Sequence, residues 1–166
     1  GIVYQLYVDE VAGNVWFVID DGVHGNELWT SDGTAEGTHL VRDITIGADN
    51  TYLNNFYIHN GLAYFTVSEK AWVSDGTESG TVPLESVEAA LGISYTAGIA
   101  GVDDNVFMSV FTSDRGWEVV RTRGSADSTD YVTDLSQPSS GIAWAPYNLT
   151  PFRGQLAFAA WDADGL

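Results

Sequence analysis

The amino-acid sequence predicts an all-β fold made of repeated units. A short motif recurs along the 166 residues at intervals of about 43–50 residues, and the segments around it are short, apolar and rich in β-branched and aromatic side chains. The 18 glycines separate short segments rather than long periodic ones. One segment, Glu85–Leu91, has the composition of a helical turn or two. With 45% hydrophobic and 13% aromatic residues, the chain has enough apolar side chains for a packed core.

The clearest repeat is a string of residues centred on Asp-Gly-Thr. Residues 27–38 read ELWTSDGTAEGT and residues 70–81 read KAWVSDGTESGT, so that Trp29 aligns with Trp72. A third copy at 118–129 reads EVVRTRGSADST and has Val120 in place of the tryptophan. These copies predict that the chain is one repeat array spanning 1–166.

A second element recurs before each copy and defines the repeat further. It is apolar and β-rich, and it occurs at Asn14–Phe17, Leu62–Phe65, Asn105–Met108 and Gln155–Phe158. The element lies in the second strand of each unit and follows a first strand, while the motif begins in the third strand and ends in the fourth. Each unit therefore holds four strands. Four antiparallel strands in about 45 residues form the blade of a β-propeller, so we predict blades of this kind.

The predicted blades have approximate boundaries at 1–50, 51–91, 92–140 and 141–166, and the last is incomplete. The strands predicted for the first blade are Tyr4–Val8, Asn14–Ile19, Glu27–Thr30 and Thr38–Asp43. Those of the second are Asn55–His59, Leu62–Val67, Ala71–Ser74 and Thr81–Leu84. Those of the third are Tyr95–Ile99, Asn105–Phe111, Trp117–Arg121 and Asp130–Asp134. The fourth is expected to hold Ala143–Asn148 and Gln155–Trp161. About three and a half blades leave a partial ring, which a longer chain or another copy is expected to complete.

The motif residues have turn chemistry. Asp32 is expected to accept backbone N–H groups in an Asx turn, Gly33 to adopt a positive φ, and Thr34 to re-enter β structure, with Gly37-Thr38 repeating this pattern. The second copy predicts the same roles for Asp75, Gly76, Thr77 and Gly80-Thr81. Trp29 and Trp72 are expected to pack between neighbouring blades, and the Asn60-Gly61 pair predicts a type I′ hairpin.

The string at 27–44, with DDGVHG before it at 20–25, resembles the bacterial "ELW-x-x-DGT" repeat family. The second copy departs from the family pattern, since Lys70-Ala71 replaces Glu-Leu and the connection Ser68-Glu69 is short. The third and fourth units match the pattern in outline. The resemblance implies tandem propeller-like repeats in large secreted or surface proteins, often of marine or gliding bacteria. It implies an extracellular or cell-surface location and no assigned catalytic activity.

Composition excludes several functions. Six Lys+Arg against 23 Asp+Glu give a net charge of −17, which argues against a nucleic-acid partner and against docking on an anionic membrane. No apolar run approaches the roughly 20 residues of a membrane-spanning helix, so no membrane insertion is expected. The absence of cysteine excludes disulfides, thiolate catalysis and cysteine-ligated metals.

No catalytic, cofactor-binding or metal-ligating residue is assigned. Calcium is the candidate cation at the acidic turns Asp20-Asp21-Gly22 and Asp162-Ala163-Asp164-Gly165, which lack the further ligands of an EF-hand, so solvated turns are the favoured interpretation. His24, His39 and His59 form no His-x-x-x-His pair and are interpreted as surface or turn residues.

The aromatic residues outside the motif copies are the candidates for stacking on a sugar. They are Trp16, Trp117, Trp144, Trp161 and Tyr147, and packing within or between blades is the favoured interpretation. The sequence thus predicts a non-enzymatic, structural or adhesive module of a larger secreted protein, with a protein partner or self-assembly. The alternative is a carbohydrate-binding propeller that takes a glycan, and an enzyme with catalytic residues elsewhere comes third.

Overall fold

The computed structural model describes residues 3–135 and 145–160. In this part the fold is all-β and consists of antiparallel meanders in which each strand pairs with the next one along the chain. Sheet 1 holds β1 (Val3–Asp9), β2 (Asn14–Asp20), β3 (Asn26–Ser31) and β4 (His39–Arg42). Sheet 2 holds β5 (Leu53–His59), β6 (Leu62–Val67), β7 (Lys70–Ser74) and β8 (Val82–Pro83), and the helix α1 (Glu85–Leu91) follows it.

Sheet 3 holds β9 (Ile93–Val102), β10 (Asn105–Thr112), β11 (Gly116–Thr122) and β12 (Asp130–Tyr131). A short 3-10 turn at Ala126–Ser128 lies between its last two strands. Sheet 4 has two strands in the described residues, β13 (Tyr147–Phe152) and β14 (Gln155–Ala159). Within the described residues these sheets do not close into a barrel or a ring.

The predicted strands of the first three units are confirmed with shifted ends, and so is the helix at Glu85–Leu91. The predicted hairpin is also confirmed, because Asn60 and Gly61 have φ values of 51° and 75°, the two positive values of a type I′ turn. The fourth unit differs. Its first strand begins at Tyr147 and continues past the predicted end at Asn148, while Ala143, Trp144 and Trp161 lie outside the described residues.

Sheets 1, 2 and 3 share two cores, and sheet 2 contributes one face to each of them. The first core joins Trp16, Val18 and Leu28 of sheet 1 to Ala63 and Phe65 of sheet 2. The second core joins sheet 2 and α1 to sheet 3, with side chains that include Tyr64, Val87, Met108, Val110 and Val120. Because successive side chains of a strand point to opposite faces, β6 supplies residues to both cores. Sheets 1, 2 and 3 therefore pack face to face in chain order.

The prediction that Thr34 and Thr77 re-enter β structure is wrong. Both lie within the loop, and the next strand of sheet 1 begins at His39. The physical reason is that the Thr34 hydroxyl is used inside the loop, where it donates to Asp32 Oδ1 at 2.7 Å and accepts the Gly37 N–H at 3.0 Å.

No helix among the described residues is both long enough and apolar enough to span a membrane.

Candidate functional site

One line of side chains crosses all four strands of sheet 1 on the face turned away from sheet 2. The strand register places Leu6 opposite Phe17, Phe17 opposite Trp29, and Trp29 opposite Leu40. Residues directly opposite one another in antiparallel strands project to the same side of the sheet. We call these four residues the outer row of sheet 1.

The repeat gives sheets 2 and 3 the same row. In sheet 2 it consists of Phe56, Phe65, Trp72 and Pro83, where the ring of Phe56 stacks on that of Phe65 with centroids 6.0 Å apart. In sheet 3 it consists of Ile99, Met108, Val120 and Tyr131. The motif tryptophan and the apolar residue of the preceding strand therefore occupy neighbouring positions in one row, as the internal sequence alignment implies.

Neighbouring sheets cover the rows of sheets 2 and 3. Phe65 is 0% exposed, and the Tyr7 ring of sheet 1 stacks on Phe56 with centroids 4.1 Å apart. Met108 and Val120 are 0% exposed in the core shared with sheet 2. The motif tryptophan was predicted to pack between neighbouring blades, and Trp72 packs against the core that sheets 1 and 2 share.

The outer row of sheet 1 faces no sheet among the described residues. Leu6 is 59% exposed, whereas Phe17, Trp29 and Leu40 are half-buried. Val8 pairs with Val15 on the same face and is also exposed. Exposed large apolar side chains grouped on one sheet face, such as Leu6 and Val8, mark a candidate interaction site in a soluble protein. This face is the leading candidate site.

A second candidate is an open cavity of about 700 Å³ lined by sheet 2, α1 and the connection that follows β4. Its apolar wall includes Ile44, Trp72 and Ile93, and Lys70 and Glu88 line it with polar atoms. Glu88 of α1 accepts the Ala71 N–H at 2.9 Å, and its second oxygen lies 3.3 Å from Lys70 Nζ. A volume of this size, mostly apolar with a few fixed polar groups, suits a small ligand.

The Asp-Gly-Thr loops of the first two copies are closed by the same hydrogen bonds. Asp32 Oδ1 accepts the Thr34 N–H at 2.9 Å, which confirms the predicted Asx turn, and Gly33 has the predicted positive φ of 90°. Asp75 and Gly76 repeat both features. The bonds from Thr34 and Thr77 hold the pKa values of Asp32 and Asp75 below their usual range. These groups are engaged within their loops, which suits a structural role.

The second glycine of each loop is required for a different reason from the positive φ that was predicted. Gly37 and Gly80 have no positive φ; instead, a Cβ at either position would fall on the carboxylate of Asp32 or Asp75. A pair of hydroxyl groups closes each loop, with oxygens 2.6 Å apart in Ser31 and Thr38 and 2.7 Å apart in Ser74 and Thr81. The third copy has Arg123 where the others have aspartate, and it keeps such a pair, with Thr122 Oγ1 2.8 Å from Thr129 Oγ1.

Sequence reasoning missed a buried carboxylate in each of the first three units. Glu27 is 0% exposed, and its Oε1 accepts the Thr45 N–H at 2.9 Å and the Thr51 hydroxyl at 2.5 Å. Glu118 holds the chain after β12 in the same way, through Thr133 and Leu135. In sheet 2 the position is Lys70, and Glu88 supplies the carboxylate instead. The available signal was glutamate at the first position of the motif in the first and third copies, Glu27 and Glu118.

Burial raises the pKa of Glu27 above its ordinary value, and the hydrogen bond from Thr51 opposes that rise. The Glu27 carboxylate contacts the connection that leads from sheet 1 towards sheet 2. We therefore interpret these carboxylates as anchors of the connections between sheets.

The histidines lie in turns and at contacts between sheets. His24 Nδ1 lies 2.7 Å from Asp21 Oδ2, a contact that raises the pKa of His24 and contributes to lowering that of Asp21 to about 2. His39 donates to the Gly76 carbonyl of the next sheet at 3.2 Å. His59 donates to the Asp103 carbonyl at 2.8 Å, which ties sheet 2 to sheet 3.

The remaining sequence candidates are placed as follows. Trp16 is buried in the first core, and Trp117 lies edge-on to Tyr95 and Phe111. The Asp20 and Asp21 carboxylates accept backbone N–H groups of their own turn. No group of three or more metal-ligating side chains is found among the residues described.

Trp144, Trp161 and the acidic turn Asp162-Ala163-Asp164-Gly165 lie outside the described residues, whereas Tyr147 begins β13 and is 48% exposed.

Comparison with protein-family models gives no match for the chain. Comparison with curated proteins also gives no match.

Proposed function

We propose that the chain is a non-enzymatic, structural or adhesive interaction module of a larger secreted or cell-surface protein, built from propeller-type repeats. The single observation behind the proposal is that one row of apolar side chains packs against a neighbouring sheet in sheets 2 and 3 but faces no described sheet in sheet 1, where its edge residue Leu6 is 59% exposed. The same row packs against a neighbouring sheet in sheet 2. In sheet 1, where no described sheet covers it, the row is suited to docking another protein surface.

Charge supports a protein partner over a nucleic acid. The net charge is −17, and the outer row of sheet 1 itself contains no ionisable side chain. An uncharged apolar face within an acidic surface favours a partner that buries hydrophobic area. The surrounding acidity keeps exposed repeats soluble in the extracellular setting that the repeat resemblance implies.

Photo-crosslinking on cells of the source organism tests this proposal. A benzophenone amino acid replaces Leu6 in the native full-length protein, and a matched version replaces Tyr52, which is 71% exposed in the connection before β5. We expect protein crosslinks from position 6 and few from position 52, together with digestion by protease added outside the cells. Absence of crosslinks from position 6, or protection from the external protease, would contradict the proposal.

Glycan binding is the second candidate function, and the cavity beside Trp72 is the observation that favours it. Its wall combines an indole, which can stack on the apolar face of a sugar, with the Lys70 and Glu88 head groups as hydrogen-bonding partners. A glycan array distinguishes the two functions. If this candidate holds, Trp72→Ala abolishes a glycan signal that Leu6→Lys leaves intact; no signal from the wild-type chain removes the candidate.

A further inference from the structure

The cavity beside Trp72 lies where sheet 2 departs from the repeat. In sheet 1 the five residues 21–25 link β2 to β3, whereas in sheet 2 the two residues Ser68-Glu69 link β6 to β7. Lys70 replaces the glutamate that begins the motif, and α1 replaces the irregular connection that follows β4. Ser68, Lys70 and α1 all line the cavity. The features that distinguish sheet 2 from sheet 1 therefore converge on one site, which suits a function that sheet 1 does not have.

A buried carboxylate and an ammonium group form the polar part of this cavity. The Glu88 side chain is 9% exposed, and its Oε1 accepts the Ala71 N–H at 2.9 Å. Its Oε2 lies 3.3 Å from Nζ of Lys70, whose side chain is 47% exposed. An ammonium group has three N–H donors and each carboxylate oxygen has two lone pairs, so this pair can both donate to a ligand and accept from it.

The rest of the wall is largely apolar. It includes Ile44 from the connection after β4, Val67 of β6, Pro83 of β8 and Ile93 of β9, together with the partly buried Trp72. Small-ligand sites combine an apolar wall with a few polar groups that fix the orientation of the ligand, and a volume of about 700 Å³ is within their range.

Charge favours a neutral ligand at this site. Among the described residues, the ionisable side chains that line the cavity are one cation, Lys70, and two carboxylates, Glu85 and Glu88. The whole chain carries a net charge of −17, so an anionic ligand is repelled. A cationic ligand would meet the Lys70 ammonium beside the carboxylate that already pairs with it. A neutral group with one donor and one acceptor matches the Lys70–Glu88 pair without adding charge.

We infer that the cavity binds a neutral sugar that carries an acetamido group. The acetamido carbonyl accepts a hydrogen bond from Lys70, its N–H donates to Glu88, and its methyl group is buried against the apolar wall. A hydroxyl group in its place can satisfy the polar pair but leaves the apolar wall in contact with water. This inference rests on the second candidate function, glycan binding, and names the class of sugar; it does not depend on the outer row of sheet 1.

Isothermal titration calorimetry of the chain as it is, with three disaccharides, tests the inference. The three share one glycosidic linkage and carry acetamido groups (N,N′-diacetylchitobiose), hydroxyl groups (cellobiose) or amino groups (chitobiose) at the same ring position. We expect the acetamido disaccharide to bind at least about tenfold more tightly than either of the others, the ratio expected for loss of an apolar group from a fitted site. Equal or tighter binding of cellobiose or chitobiose would overturn the inference.

Two substitutions in α1 locate the binding site. Ala89 and Ala90 are both exposed, and Ala89 lines the cavity whereas Ala90 does not. Ala89→Phe fills the cavity and is expected to abolish binding, while the matched control Ala90→Phe leaves it unchanged. Binding that survives Ala89→Phe, or that Ala90→Phe abolishes equally, would contradict the site.

A third variant tests the polar pair. Lys70→Met keeps the aliphatic part of the side chain and removes the donor, so it is expected to weaken binding of the acetamido disaccharide at least about tenfold. Circular dichroism melting shows whether each variant remains folded, and the comparison of the three disaccharides on the unsubstituted chain does not depend on any variant. Unchanged affinity in a folded Lys70→Met variant would overturn the role of the pair.

The disaccharides also separate failure of this inference from failure of the glycan-binding function. Binding of cellobiose alone, or equal binding of all three, overturns the acetamido class and keeps glycan binding. Absence of heat with all three overturns the inference, and a glycan array without signal then removes the candidate function as well.

Discussion

Sheets 1 and 2 are built from the same repeat and differ in what covers one face. Phe65 and Trp72 pack against the Trp16 face of sheet 1, whereas their counterparts Phe17 and Trp29 face no sheet among the described residues. The sequence at these positions is nearly the same, so local chemistry does not distinguish them. The difference shows that the packing of a repeat residue depends on its place in the array. A residue that packs between two sheets in one unit has no described sheet opposite it in another.

The largest expected effect comes from truncating the covered row. Phe65→Ala removes a ring that is 0% exposed and packed between two sheets, and it should lower the free energy of unfolding by about 3–5 kcal/mol. Phe17→Ala, at the equivalent half-buried position, should cost roughly 1 kcal/mol. Urea unfolding of both variants measures the difference. Equal losses would show that the two rows are equally covered and would break the comparison.

The Asp-Gly-Thr loops provide a matched comparison, because sheets 1 and 2 contain the same loop with the same hydrogen bonds. Gly37→Ala and Gly80→Ala each place a methyl group on the Asp32 or Asp75 carboxylate, so each should cost about 1–3 kcal/mol. The two costs should agree within error, unlike those of the two phenylalanines. Adding Asp75→Ala to Gly80→Ala relieves the clash, so the double variant should be more stable than the sum of the single effects predicts. If the losses in free energy of unfolding of the two single variants add exactly in the double variant, the close approach of Gly80 to the Asp75 carboxylate is contradicted.

A smaller difference concerns the buried carboxylates. Burial raises the pKa of Glu27 in the folded chain, so the folded state binds more protons than the unfolded state between the two pKa values. The free energy of unfolding contributed by Glu27 is therefore greatest below the unfolded pKa and falls as pH rises through the folded pKa. Glu27→Gln should remove this fall. Urea unfolding from about pH 4 to about pH 8 measures it, with the exposed Glu10→Gln as control; an unchanged slope in Glu27→Gln would refute the assignment.

The smallest effect is expected at the exposed turn between β2 and β3. The Asp21 carboxylate raises the pKa of His24, so Asp21→Asn should return that pKa towards its ordinary value. Because the His24 pKa is raised, its contribution to stability is present at low pH and is lost as pH rises through the folded pKa. NMR titration of the histidine rings measures the change. A His24 pKa that does not move in Asp21→Asn would contradict the contact.

Much of the fold could be predicted from the sequence, because strand alternation, turn residues and the repeat offset all act locally. The strands around Phe17 and Phe65 and the Asn60-Gly61 hairpin follow from such signals. The roles of Thr34 and Gly37 could not be predicted, because they depend on hydrogen bonds and close approach inside a folded loop.

The candidate site was less accessible to sequence reasoning. The motif predicts that Trp29 and Trp72 pack between sheets, and it cannot indicate which side of each sheet has a neighbour. Glu27 resembles any surface acid in a chain with 23 of them, and its burial depends on the connection after β4 that folds over it. Exposure of the outer row is thus a property of the array rather than of any single motif.

Hydroxyl-radical footprinting tests the central claim most directly, because it measures solvent access residue by residue. The account predicts that Leu6, which is 59% exposed, is oxidised fastest and that the half-buried Phe17 reacts more than Phe65, which is 0% exposed. Equal protection of Phe17 and Phe65, or a Leu6 that is protected as well as Phe65, would contradict it.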